Sequence, residues 1–121
     1  MAKYHIKTWD IDSFTANSDW KKRILLIERL SEQLKSWTLT THHLENHTLT
    51  QNSQFIQGKL HWSFLPINEI IPLLLSFSED LELASKLGFI HGDINLKNIL
   101  FTKERILLIA YEPSLYHIKN N

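Results

Sequence analysis

The chain has no cysteine among its 121 residues. That absence excludes a disulfide framework, a thiolate nucleophile and a cysteine zinc site. Glycine and proline are scarce, at three each, which leaves little room for flexible linkers or low-complexity tracts. Neither charge is in excess, with 13 basic side chains against 13 acidic ones. Neutralising phosphates needs a surplus of Lys and Arg on one face, so the balance argues against a nucleic-acid partner. No apolar run approaches the roughly 18 residues of a membrane span, and the opening residues lack the apolar core of a signal peptide. The expectation is a cytoplasmic protein with no membrane role. What is present is 43% hydrophobic residues, enough for the core of a single domain over 1–121.

Residues 4–9 alternate weakly, as a short strand does. Ser18 or Asp19 suits the N-cap of a helix. From Trp20, apolar residues recur at Ile24, Ile27, Leu30 or Leu34, and Trp37. Lys21, Lys22, Glu28, Glu32 and Lys35 fall mostly on the other face. This spacing predicts a helix over 18–37, with Trp20 and Trp37 on its buried stripe. Over 38–65, Thr, aromatic and aliphatic residues predict short antiparallel strands at 39–44, 48–50, 55–57 and 60–64. Gly58 and Lys59 would turn between the last two, and Trp62, alternating with Leu60 and Phe64, is assigned to the core.

Pro66 ends that region, and a second helix is expected over 68–87, capped by Asn68. Pro72 is acceptable only near its first turn. Ile71, Leu74, Leu75, Ser78, Leu81 and Ala84 mark its buried side, and Gly88 stops it after Leu87. The nearly unbroken apolar run 70–77 implies that its first half is mostly buried. Residues 98–101 and 105–109 read as buried strands joined by a tight turn at Thr102, Lys103 and Glu104. The fold class is therefore α+β, with two main helices, short antiparallel strands and a C-terminal β-hairpin. His42, His43 and His47 cluster, but without cysteine or a helical His pair they read as surface strand histidines.

The segment 87–115, LGFIHGDINLKNILFTKERILLIAYEPSL, carries the chemistry. An apolar helix ends, His91-Gly92-Asp93 follows, Asn98 comes five residues after the Asp, and a hydrophobic hairpin closes the run. This pattern resembles the catalytic loop of the protein-kinase-like superfamily. The HGD form with LKNIL is most similar to small-molecule and sugar kinases, such as aminoglycoside and choline phosphotransferases and lipopolysaccharide-core kinases. Phosphoryl transfer needs a carboxylate at the acceptor hydroxyl and oxygen ligands that hold Mg²⁺ against the phosphates. The resemblance implies Asp93 as catalytic base, Asn98 as a metal ligand, His91 as a brace inside the loop and Lys97 near the transferred phosphate.

The same resemblance implies a metal-binding Asp at the end of the hairpin, where this chain has Ala110. Alanine offers a hard cation no oxygen. Glu112 is the nearest carboxylate, and on an extended segment it would share the face of Ala110. Its plainer role is a solvated Glu before a proline turn. Glu28 or Glu32 stands where the family has a pairing Glu, and Lys3 and Lys7 are the strand lysines on offer. Gly58, Gly88 and Gly92 form no glycine-rich phosphate loop. For Asp93 and Asn98 the plainer role is a capped turn that starts the hairpin. The chain also closes soon after Leu115, so the expectation is a reduced, degenerate kinase-like core. It would bind no cofactor and act by self-association or a protein partner, through 70–87 or the hairpin at 106–109. One alternative is a minimal phosphotransferase using ATP and Mg²⁺, with Asp93 as base. Another is a small α+β immunity or accessory interaction protein.

Overall fold

The computed structural model describes residues 3–14, 19–92 and 94–113. The elements run β1 (Tyr4–Asp10), α1 (Trp20–Gln33), β2 (Thr40–Glu45), β3 (Thr48–Gln54), α2 (Ile67–Lys86), β4 (Ile99–Phe101) and β5 (Ile106–Leu108). Short 3₁₀ turns occupy Ile11–Ser13 and Leu96–Asn98. The class is mixed α+β, with one three-stranded antiparallel sheet in the order β1-β3-β2 and a separate β4-β5 hairpin.

β2 and β3 meet in a two-residue turn in which Asn46 and His47 both have positive φ, 49° and 64°. Positive φ at both central residues matches the right-handed twist of the strands it joins. Because side chains alternate across a strand, the register sets which residues share a face. Lys7, Gln51 and His42 stand in one cross-strand row, and His5, Ser53 and Thr40 in the next. This face is turned inward, yet it is largely polar.

α1 is shorter than its sequence period suggests. Leu34 turns extended, with its N–H still closing on the Leu30 carbonyl. Ser36 N–H then donates to Asp80 Oδ2 of α2 at 3.0 Å, and the chain runs on beside β5. Trp37 is therefore core, but not as a helix residue. It bridges in parallel to Leu108, stacks on Tyr111 at 6.0 Å and meets the edge of Phe89 at 5.6 Å. Trp20 is only half buried, against Phe14. Asp19 holds the N-cap position without a side-chain bond, and Ser18 lies outside the described residues.

The strands expected at 55–57 and 60–64 do not form. Phe55, Leu60 and Trp62 are half exposed, and a single bridge from Lys59 to Phe101 ties this stretch to the hairpin. Gly58 makes no tight turn. It marks a close approach, where a Cβ would stand 2.7 Å from Leu100 Cγ and 2.9 Å from the Phe101 carbonyl oxygen. Only glycine lets the two backbones come that near.

α2 begins at Ile67, one residue before the expected cap, and Pro66 leads it in. Pro72 sits within the helix as its sixth residue, at an exposed position where solvent can take the carbonyl that proline leaves unpaired. The buried stripe is Ile70, Phe77 and Ala84, with Leu73 and Leu81 beside it. Ile71, Leu74 and Leu75 face outward, contrary to the expected orientation. The run 70–75 is apolar apart from Pro72, so periodicity alone offers two overlapping stripes, and the packing partner selects one.

The hairpin lies at the centre of the core. Ile106, Leu107 and Leu108 are almost wholly buried, so this strand is no free surface for a partner. At its turn, Thr102 Oγ1 donates to the Arg105 carbonyl and accepts the N–H groups of Glu104 and Arg105. Among the described residues, no helix is long and apolar enough to cross a membrane.

Candidate functional site

The expected stop of α2 is realised in detail. Gly88 has φ 93°, its N–H meets the Ser85 carbonyl at 3.0 Å, and the Phe89 N–H meets the Ala84 carbonyl at 3.0 Å. This paired closure uses the left-handed conformation that glycine adopts without a Cβ penalty. It aims the following residues back over the hairpin. The His91 ring is buried there between Phe89 and Tyr111, with Nε2 2.8 Å from the Ile109 carbonyl oxygen. A carbonyl only accepts, so Nε2 carries the proton.

Asn95 Oδ1 takes the Lys97 N–H and so caps the 3₁₀ turn Leu96–Asn98. The Asn98 carbonyl then accepts the Ile109 N–H at 2.9 Å. His91 and Asn98 thus meet on the two sides of one residue, Ile109. Lys97 is exposed. Asp93 lies outside the described residues.

Arg23 joins this loop to α1 and to the segment after β5. Its guanidinium donates to the carbonyls of Glu112 at 2.6 Å, Ile90 at 2.5 Å and His91 at 3.3 Å, and lies over the Phe89 ring. Burial lowers its pKa to about 10, and the nearby Glu112 carboxylate opposes that shift. The planar fork suits three carbonyls at once in a way a lysine cannot.

The extended segment that would place Glu112 on the face of Ala110 is not present. Ala110 has φ 64°, so the chain is not extended there, and the two-residue period that would align Glu112 with it is broken. The Glu112 carboxylate instead lies 4.0 Å from Lys7 Nζ of β1. Mg²⁺ demands a near-octahedral set of oxygens. Among the described residues no group of three or more His, Asp or Glu side chains is placed to hold a metal ion, and Ala110 adds no donor.

Behind the loop, a polar relay crosses the inner face of the sheet. Glu28 Oε2 of α1 accepts both the His42 N–H at 2.7 Å and His42 Nδ1 at 2.9 Å. Gln51 Nε2 lies 3.0 Å from His42 Nε2 and 3.0 Å from the Tyr111 carbonyl oxygen. So Glu28 pairs with a β2 histidine and not with a strand lysine, while Glu32 is exposed. The His42 side chain is 2% exposed, which corrects its assignment to the surface. His43 and His47 are exposed as expected, beside Glu45 and Asp12. Burial pulls the His42 pKa below its usual value, and the Glu28 hydrogen bond and charge pull the other way. Burial pushes the Tyr111 phenol upward, partly offset by its bond from the Thr38 N–H.

Between the sheet and the hairpin lies a cavity of about 170 Å³. His5, Lys7, Gln51 and Ser53 supply its polar wall, and Leu100 and Ile109 its apolar one. Ala110, Phe55 and Ile56 line it as well. No protein-family model matches this chain. No curated protein matches it either.

Sequence reading missed Arg23, Gln51 and Tyr111. Arg23 was findable, since it shares the 23, 27, 30, 34 spacing of the buried face of α1 while Lys21 and Lys22 do not. Gln51 and Tyr111 carried no such signal, because only the β3 register and the course of the chain after β5 bring them together.

Proposed function

We propose that this chain is a non-catalytic, kinase-like domain that acts by self-association through the outer face of α2. One observation carries the reading: Ile67, Ile71 and Leu75 form a single i, i+4 ridge that is 70%, 50% and 60% exposed, with Leu74 beside it. An apolar ridge of this kind is seldom left uncovered in water. The favoured occupant is a second copy, because i±4 ridges interdigitate with their own kind and a two-fold axis matches one patch to itself. Further along, Ser78, Glu82 and Ser85 interrupt the apolar surface, so the crossing centres on Ile71 and Leu75. Ala110 and the lack of a glycine-rich loop support the absence of phosphoryl transfer. Light scattering of the eluting chain should report a dimer, and Leu75→Glu should return it to a monomer with unchanged circular dichroism. A native chain that stays monomeric at high concentration ends the reading.

The cavity favours a second reading, a minimal ATP- and Mg²⁺-dependent small-molecule phosphotransferase with Asp93 as base. It lies between the sheet and the hairpin, where the resemblance expects a nucleotide, with Lys7 on its wall. Mg-ATP at 100 times its Kd would add about 2.7 kcal/mol of stability. A melting temperature indifferent to millimolar Mg-ATP removes this reading and leaves the first untouched.

A further inference from the structure

The relay across the sheet admits only one arrangement of protons. Tyr111 presents a backbone carbonyl, which accepts and never donates, so the Gln51 atom facing it must be the amide nitrogen. That same nitrogen faces His42 Nε2 at 3.0 Å, so Nε2 must offer a lone pair. The remaining ring proton then sits on Nδ1, where the Glu28 carboxylate accepts it. With His42 neutral in this tautomer, each of these contacts pairs a donor with an acceptor. We propose that His42 is a proton-operated latch between α1 and the segment that follows β5.

When a proton adds to Nε2, two donors face each other across 3.0 Å. Gln51 can relieve the conflict by turning its carbonyl toward the imidazolium. It then faces the Tyr111 carbonyl with the wrong group or withdraws from it. Either way the link from the sheet to Tyr111 breaks, beside the cavity that Gln51 and Ala110 both line. The proton is taken from solvent, and no other bond is made or broken.

The charged surroundings are few. α1 contributes Glu28, which favours the imidazolium. β3 contributes the neutral Gln51, and beyond it in the same row stands Lys7 of β1, matched by Glu112. The segment after β5 turns the Tyr111 carbonyl toward Gln51, with its phenol engaged by Thr38 and Leu108, and carries the Glu112 carboxylate that faces Lys7. Burial of the ring opposes protonation. The latch is thus closed at neutral pH and opens on acidification.

Nitrogen-15 spectra of the intact, labelled chain test this directly. At neutral pH the His42 ring should be the Nδ1–H tautomer. On acidification its signals and the backbone signals of residues 111 and 112 should move together, with one midpoint below about 6.5. In Gln51→Leu the ring should still titrate while residues 111 and 112 cease to follow it. An Nε2–H ring at neutral pH overturns the proposal, as do native signals at 111 and 112 that ignore the ring. The native readings need no variant, so they decide the matter even where Gln51→Leu fails to fold.

Discussion

Where α2 meets the hairpin, the core is apolar: Trp37, Phe77, Ala84, Phe89, Phe101, Ile106 and Leu108 pack together and are nearly free of solvent. Where α1 meets the sheet, much of the contact is polar. Ser31 Oγ accepts the Thr40 N–H, Glu28 takes two bonds from His42, and Gln51 passes the relay to Tyr111. The two regions adjoin along Trp37 and Tyr111, which belong to both. In the apolar half the strength of a contact follows area and volume, and in the polar half it follows whether each donor finds an acceptor. The first kind of contact is insensitive to pH, and the second is exposed to it through one imidazole.

The comparison is broken most severely by removing volume from the apolar half. Leu108→Ala should cost about 3 kcal/mol in urea unfolding, through lost transfer energy and the cavity left behind. Arg23→Met tests the polar side of the same site. It keeps the aliphatic bulk but strands three carbonyls, and should cost about 2 kcal/mol. Its specific signature is faster hydrogen exchange at residues 90–92, with the exchange of β2 and β3 unchanged. Glu28→Ala leaves the His42 N–H and Nδ1–H unpaired and should cost about 1.5 kcal/mol by the same measurement.

Smaller effects sharpen the contrast. Ala110→Gly should add about 1 kcal/mol, because a Cβ at φ 64° is unfavourable and glycine avoids it. An unchanged midpoint would show that no strain resides at Ala110. The smallest effect is the pH dependence. The folded pKa of His42 lies below its unfolded value, so the unfolded chain binds more protons in between. Stability should therefore be full above about pH 6.5, fall as pH drops toward the folded pKa, and level off below it. The difference between native and His42→Gln melting curves against pH isolates this component.

How much was legible depended on the kind of signal. α1 was readable from Ile27, Leu30 and Leu34, although its end was not, since Leu34 leaves the helix to carry Trp37 to β5. The stop at Gly88, the turn at Thr102 and both hairpin strands were local patterns, and the chain folds there as those patterns predict. Trp62 failed because alternation over 60–64 matched a strand that has no neighbour to pair with. In the candidate site, His91 was expected to brace the loop from within, and it lies buried against Ile109. The two-residue alignment of Glu112 with Ala110 was not legible, because nothing in the sequence shows that Ala110 is left-handed.

The amino-acid sequence by itself determined the α+β class, both helices, the C-terminal hairpin with its turn at Thr102, and the closure at Gly88. Each follows from residues a few positions apart, through periodicity, caps and turn geometry. Only the tertiary structure decided which stripe of α2 is buried, that Glu28 meets His42, and that Arg23 gathers the carbonyls of Ile90, His91 and Glu112. Those outcomes join residues far apart in the chain. They depend on which surface the fold brings to cover an apolar side chain or to satisfy a buried donor.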